Sequence, residues 1–241
     1  MRRPSWRLDE LEIRHIANGV RALRGRRRYV GQVMRNLLRR LLSALMELLD
    51  GVDPPESPWD RVAMRVPTTA FGAGSREQFA HYFDGESSVP VRSIDDIVGW
   101  LLCCGYTTDM DLFNEPDRWQ HPSAFEQLRR GDCEDFALWA WRKLTEIGID
   151  AEFYVGRVRC GGEPDVDRQH AWVVYRVNGT DFLFEPAARS RAQMIRPLAD
   201  AMDDYVPHFA VDRRFRTSAF VGCVLDSYRD RQIRRDRTPA A

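Results

Sequence analysis

The chain of 241 residues contains a single lysine, Lys143, among 36 basic side chains, so nearly all of its positive charge is arginine. That bias reads as a habit of the coding sequence rather than as a surface built for one partner. Cysteine is sparse as well: Cys103, Cys104, Cys133, Cys160 and Cys223 make an odd total with no C-x-x-C spacing. This argues against a disulfide framework and against a cysteine-ligated zinc site, and leaves room for a thiol that does chemistry. No stretch approaches the roughly 18 uninterrupted apolar residues of a membrane span. The N-terminal MRRPSWRLDELEIRH carries charge but no apolar signal-peptide core. The expectation is a soluble, cytoplasmic protein.

What is present is enough apolar material, 44% of residues, to bury one sizeable core. Basic and acidic residues balance at 36 each, but not along the chain. Residues 1–50 hold 12 basic and 5 acidic side chains and residues 212–241 hold 8 and 4, which leaves 16 basic against 27 acidic between them. Cationic ends flank an acidic body. Such ends attract nucleic acid, an anionic membrane face or the acidic body itself; self-packing or plain solvation ranks first, and no nucleic-acid partner is expected.

Residues 8–20 read as a short helix. From residue 29 to 50, Val30, Val33, Met34, Leu37, Leu38, Leu41, Leu42, Leu45, Leu48 and Leu49 recur at the three-and-four spacing of an amphipathic helix, with Arg35, Arg39 and Arg40 on its polar face. Its leucine stripe is expected to pack on the domain, on another subunit or on a protein partner, with membrane-surface binding as the other reading. Gly51 stops this helix, and residues 53–58, with three prolines, read as a linker. The expected organisation is a basic helical region over 1–55, a catalytic domain over 56–225 and a basic, flexible tail over 226–241.

Within the domain, Ser93 caps a helix over residues 93–104, with Asp96 in the reciprocal position. Residues 107–122 read as a loop and 123–130 as a short helical stretch. Gly131-Asp132-Cys133-Glu134-Asp135 then opens a helix that runs to Gly148, with Phe136, Ala137, Ala140, Trp141, Leu144 and Ile147 at helical spacing. Asp132 is a natural N-cap, Asp135 its reciprocal partner, and Cys133 falls in the first turn, where backbone N–H groups and the helix dipole favour thiolate and suit an oxyanion. Trp139, Trp141 and Trp172 read as core rather than as a stacking surface. His15, His81, His121 and His208 have no partner spacing and are given no function.

Strand patterns follow over residues 151–159, 170–177 and 182–185, with Asn178-Gly179 as a hairpin turn. A two-residue turn pairs Val177 with Thr180 and returns the chain so that Glu185 comes back beside His170. A thiol, an imidazole and an acid in this order are the parts of a cysteine nucleophile whose base is oriented by a carboxylate.

The strings Gly131-Asp132-Cys133-Glu134-Asp135, His170-Ala171-Trp172-Val173 and Phe184-Glu185-Pro186 resemble the transglutaminase-like superfamily, and most of all bacterial transglutaminase-like cysteine proteinases. The resemblance spans residues 90–190. It implies an α+β, papain-like core in which a catalytic helix packs on an antiparallel sheet, with Cys133 as nucleophile, His170 as base and Glu185 as orienting acid. Here the chain departs from the superfamily's usual Asp-Pro, and Asp181 is the weaker substitute. The resemblance also implies calcium ligation by Asp132 and Glu134, whose other reading is helix capping; no cofactor is otherwise required. The oxyanion would take the Cys133 N–H and a side-chain donor, Gln127 by the papain-type spacing, or Trp100 or Trp119. The function expected is a thiol hydrolase that cleaves a protein or peptide amide, and its rival is a catalytically silent module that binds peptides or other proteins.

Overall fold

Valine, phenylalanine, tyrosine and tryptophan crowd residues 150–184, and the computed structural model folds them into the centre of an antiparallel sheet. It describes residues 57–159 and 167–225, apart from positions 63, 65 and 76. The N-terminal helical region and the C-terminal tail expected from the sequence lie outside the described residues.

In chain order the strands are β1 (Arg61–Val62), β2 (Gly105–Tyr106), β3 (Arg130–Gly131), β4 (Asp150–Arg159), β5 (Asp167–Val177), β6 (Thr180–Phe184), β7 (Ile195–Pro197), β8 (Tyr205–Asp212) and β9 (Thr217–Phe220). The helices are α1 (Ile94–Leu101), α2 (Asp109–Phe113), α3 (Pro122–Leu128), α4 (Cys133–Glu146) and α5 (Arg191–Met194). Seven strands form one sheet in the order β1-β9-β8-β4-β5-β6-β7, every pair antiparallel, while β2 and β3 make a separate parallel pair. The architecture is helix and antiparallel sheet, as the α+β expectation has it. Residues 150–184 run as the antiparallel order β4-β5-β6, and the sheet extends beyond them because β8 lies on the free side of β4, followed by β9 and β1.

Alternation along β4 and β5 decides which residues meet the helices. Ala151, Phe153, Val155, Ala171, Val173 and Tyr175 join Phe136, Ala137, Trp139 and Trp141 of α4 in one core, whereas Tyr154, Trp172 and Val174 face the other way, onto Leu183, Tyr205, Ala210 and Phe220. Both faces of the sheet are therefore covered. The hairpin between β5 and β6 has the register expected from its turn: Val177 faces Thr180, and Asn178 (φ 51°) and Gly179 (φ 78°) supply the two left-handed residues that a tight turn of this type demands.

Helix α4 is buried along most of its length, and Trp139, Trp141 and Trp172 are core residues with no exposed surface. Lys143, the one lysine, is 1% exposed; its Nζ donates to Val89 O (2.8 Å) and meets Glu146 (3.0 Å) and Glu126 (3.5 Å). It is spent on structure. The segment 107–122 read as a loop contains α2, started by Thr108, whose hydroxyl accepts from the Asp111 N–H, and ended by Asn114 in the left-handed region. Five residues are too few for a periodic signal, which is why the sequence reads as loop here.

Candidate active site

Cys133 is the first residue of α4, and Asp132 before it takes the extended conformation of an N-cap (φ −113°, ψ −156°). The Asp135 carboxylate reaches back to accept from the Asp132 N–H (3.3 Å), and also from Gln120 through its backbone N–H (2.7 Å) and its amide. Gly131 completes this knot: a Cβ at that position would strike the Asp135 carboxylate and the Gln120 amide. The five-residue motif is thus a device that pins the start of α4, with Cys133 half-buried beneath a cavity of about 730 Å³.

The same cavity is lined by His170 and Ala171 of β5, by Tyr106, by Trp119, and by Asp109, Asp117, Asp132 and Glu134. His170 Nε2 lies 2.6 Å from Glu185 Oε2, and the Tyr205 hydroxyl donates to that same oxygen at 3.0 Å. Glu185 is anchored by its backbone, whose N–H donates to Met194 O (2.7 Å). The structure therefore brings Cys133 and His170 to one cavity and locks Glu185 onto His170. Asp181, the substitute acid, is elsewhere: it pairs with Arg176 at 2.6 Å on the exposed part of the hairpin.

The thiol differs from the sequence expectation. Burial pushes Cys133 well above the ordinary thiol range, the carboxylates of Glu134 and Asp132 push it further, and its Sγ donates to Glu134 Oε2 at 3.2 Å; the Ala171 N–H works in the opposite direction. The dipole of α4 is present, but two acids in the first turn and a low-dielectric setting outweigh it.

Those acids belong to a larger cluster. Oxygens of Asp109, Asp117 and Glu134, and of Asp109, Asp132 and Asp135, approach within 4.8 Å of one another. Burial raises Asp109 to about 6 and Asp135 to about 8, and lifts Glu134 well above its usual range. Asp109 Oδ1 and Asp132 Oδ1 are buried with no hydrogen-bond partner among the described residues. An all-oxygen set with uncompensated carboxylates fits a hard cation such as calcium. Asp132 and Glu134 were legible as candidates, but Asp109 and Asp117 were not, since they sit in the preceding segment and meet the motif only through folding.

The oxyanion candidates fare unevenly. Gln127 is exposed on α3, which ends at Leu128, and does not line the cavity. The spacing from Gln127 to Cys133 is therefore not carried into the site. Trp119 lines the cavity, but its indole N–H donates to Asp117 (2.9 Å). Trp100 stacks on Trp139 at 4.0 Å, away from it. The sequence reading also missed Tyr205, for which a lone tyrosine at a strand start gives no signal.

No family model matches the sequence, and no curated protein matches it. Among solved structures, the chain is similar to the calcium-bound form of Legionella pneumophila LapG, at 18% identity over 56% of this chain and 72% of that one, with a TM-score of 0.38. The EGTA-treated form gives the same identity and score over 55% and 69%. A candidate cysteine protease of Cytophaga hutchinsonii is similar at 16% identity over 52% of this chain and 42% of that one, with a TM-score of 0.31. Among the described residues, no helix is long and apolar enough to cross a membrane.

Proposed function

We propose that this chain is a transglutaminase-like thiol hydrolase that cleaves an amide bond in a protein or peptide, with Cys133 as nucleophile, His170 as base and Glu185 as its orienting acid. The observation that carries the reading is the convergence of Cys133 and His170 on one cavity while Glu185 holds the imidazole at 2.6 Å. In the first half-reaction His170 takes the thiol proton, Cys133 Sγ forms a bond to the substrate carbonyl carbon, and the C–N bond breaks as His170 returns that proton to the departing amine. In the second, His170 takes a proton from water as the oxygen attacks the thioester, and the proton ends on the released sulfur. Glu185 accepts from the ring nitrogen throughout and stabilises the imidazolium that forms twice in the cycle.

Calcium fits this reading through Asp109, Asp117, Asp132 and Glu134. These carboxylates would hold the ion, whose positive charge would offset their effect on the Cys133 thiol. The substrate is sought by comparing wild type with Cys133→Ala in a cellular proteome with calcium present. New peptide N-termini that depend on Cys133 support hydrolysis of protein amides, deamidated glutamines redirect the reading to deamidation, and no Cys133-dependent change counts against the enzyme.

A second reading is favoured by the raised thiol: a catalytically silent relative that uses the same cavity to bind a peptide. It differs in one respect that can be measured, since a silent module gives Cys133 no reactivity beyond that of an ordinary exposed thiol, whether or not calcium is present.

A further inference from the structure

Glu185 ends up with a demanding task, because the oxygen that meets His170 carries every side-chain hydrogen bond the carboxylate makes. Its Oε2 accepts from His170 Nε2 and from the Tyr205 hydroxyl, and its Oε1 is buried with no partner among the described residues. A glutamate side chain has one more rotatable bond than an aspartate, so a backbone anchor at residue 185 does not by itself fix where the carboxylate sits. Tyr205 is in a position to do so. It opens β8, pairs with Val158 in register, and is 5% exposed. Its ring meets the Trp172 indole edge-on at 5.1 Å, and the same indole stacks against the His170 ring at 6.4 Å with 22° between the planes. Phenol and imidazole thus flank one fully buried tryptophan, and the carboxylate bridges their polar ends.

We propose that Tyr205 is a positioning residue of this site, which holds the Glu185 carboxylate against His170 through its hydroxyl while Trp172 fixes the two rings relative to each other. The proposal rests on the catalytic reading of Cys133, His170 and Glu185. It accounts for the glutamate: a longer acid is kept in one rotamer by a second donor from the opposite side. Other charged groups near this assembly are Arg196, 5.8 Å over the Tyr205 ring, whose guanidinium lies 3.7 Å from Asp204, and Asp132 and Glu134 across the cavity from His170.

The test uses Tyr205→Phe, which keeps the ring against Trp172 and removes the hydroxyl alone. Two readouts are taken with calcium present: the rate at which iodoacetamide alkylates Cys133 relative to exposed Cys103, and the downfield proton resonance of the His170 ring, assigned by its loss in His170→Ala. In Tyr205→Phe the resonance is expected to move upfield and broaden, and alkylation of Cys133 to slow by about tenfold, as suits loss of one hydrogen bond to a charged group. In a Glu185→Gln background the same substitution should have no further effect, because Tyr205 acts through that carboxylate; additive effects would assign it a merely structural role and overturn the proposal. An unchanged resonance and rate in Tyr205→Phe would overturn it too. If wild-type Cys133 reacts no faster than Cys103, the catalytic reading falls and takes this proposal with it, whereas a selective wild type matched by Tyr205→Phe removes the proposal alone.

Discussion

At the scale of single residues, the start of α4 sets two demands against each other. The helix favours a carboxylate at its N-cap and in its first turn, and Asp132 and Asp135 meet that need, but a thiol placed between Asp132 and Glu134 is driven toward its protonated form. Replacing Asp132 by Asn separates the two effects, because asparagine caps a helix as well as aspartate does and carries no charge. Removing that charge lowers the thiol pKa toward its ordinary value, so more thiolate is present at neutral pH. Asp132→Asn is expected to alkylate at Cys133 several-fold faster than wild type in calcium-free buffer, with thermal stability little changed; a slower rate would mean that Asp132 does not act on the sulfur through its charge. His170 and Glu185 are in mutual support, since one 2.6 Å contact orients the imidazole and fixes which ring nitrogen faces the carboxylate.

Among the elements, α4 and the β5–β6 hairpin hold the site, and both were legible in advance. The helix shows in the apolar spacing from Phe136 to Ile147 and the hairpin in Asn178-Gly179, since helical period and turn chemistry are local properties. Their packing makes α4 intolerant of truncation. Trp139 has no exposed surface, stacks on Trp100 at 4.0 Å and donates from its indole to Glu126 at 2.9 Å. Trp139→Ala is therefore expected to cost about 3–5 kcal/mol in chemical denaturation, the range for emptying a buried aromatic site, and a loss under about 1 kcal/mol would show that the helix is not packed as described. What the sequence did not disclose is non-local. Strand β8 pairs with β4 far back in the chain, as Asp212 with Glu152, and β9, which returns from β8 as a hairpin, pairs with the two-residue β1, as Phe220 with Arg61; the sorting of Tyr205 to Glu185 depends on the β4–β8 pairing. The papain-type spacing of Gln127 was no guide for the same reason: it counts residues along the chain, whereas Gln127 sits exposed on α3 and outside the cavity lining.

For the molecule as a whole, the acidic body read from composition becomes specific in the structure, since part of that excess converges on one wall of the cavity that holds Cys133. Buried carboxylates with unpartnered oxygens destabilise the fold when ionised, and a cation among them relieves that cost. Calcium is accordingly expected to raise the melting temperature. At one hundred times its dissociation constant, binding to the folded state alone adds about 2.7 kcal/mol. Asp109→Asn should weaken the response, and a melting curve indifferent to calcium and to chelator would remove the metal from the account while leaving the triad untouched.

The most direct measurement is the rate of iodoacetamide alkylation at each cysteine, followed by mass spectrometry at neutral pH with calcium present, in wild type and in His170→Ala. Cys133 is expected to react well ahead of exposed Cys103 in wild type and to lose that lead in His170→Ala, because the imidazole takes the thiol proton. Equal rates at Cys133 and Cys103 in wild type, or a Cys133 rate indifferent to His170, would contradict a shared proton between them and with it the assignment of a thiol hydrolase.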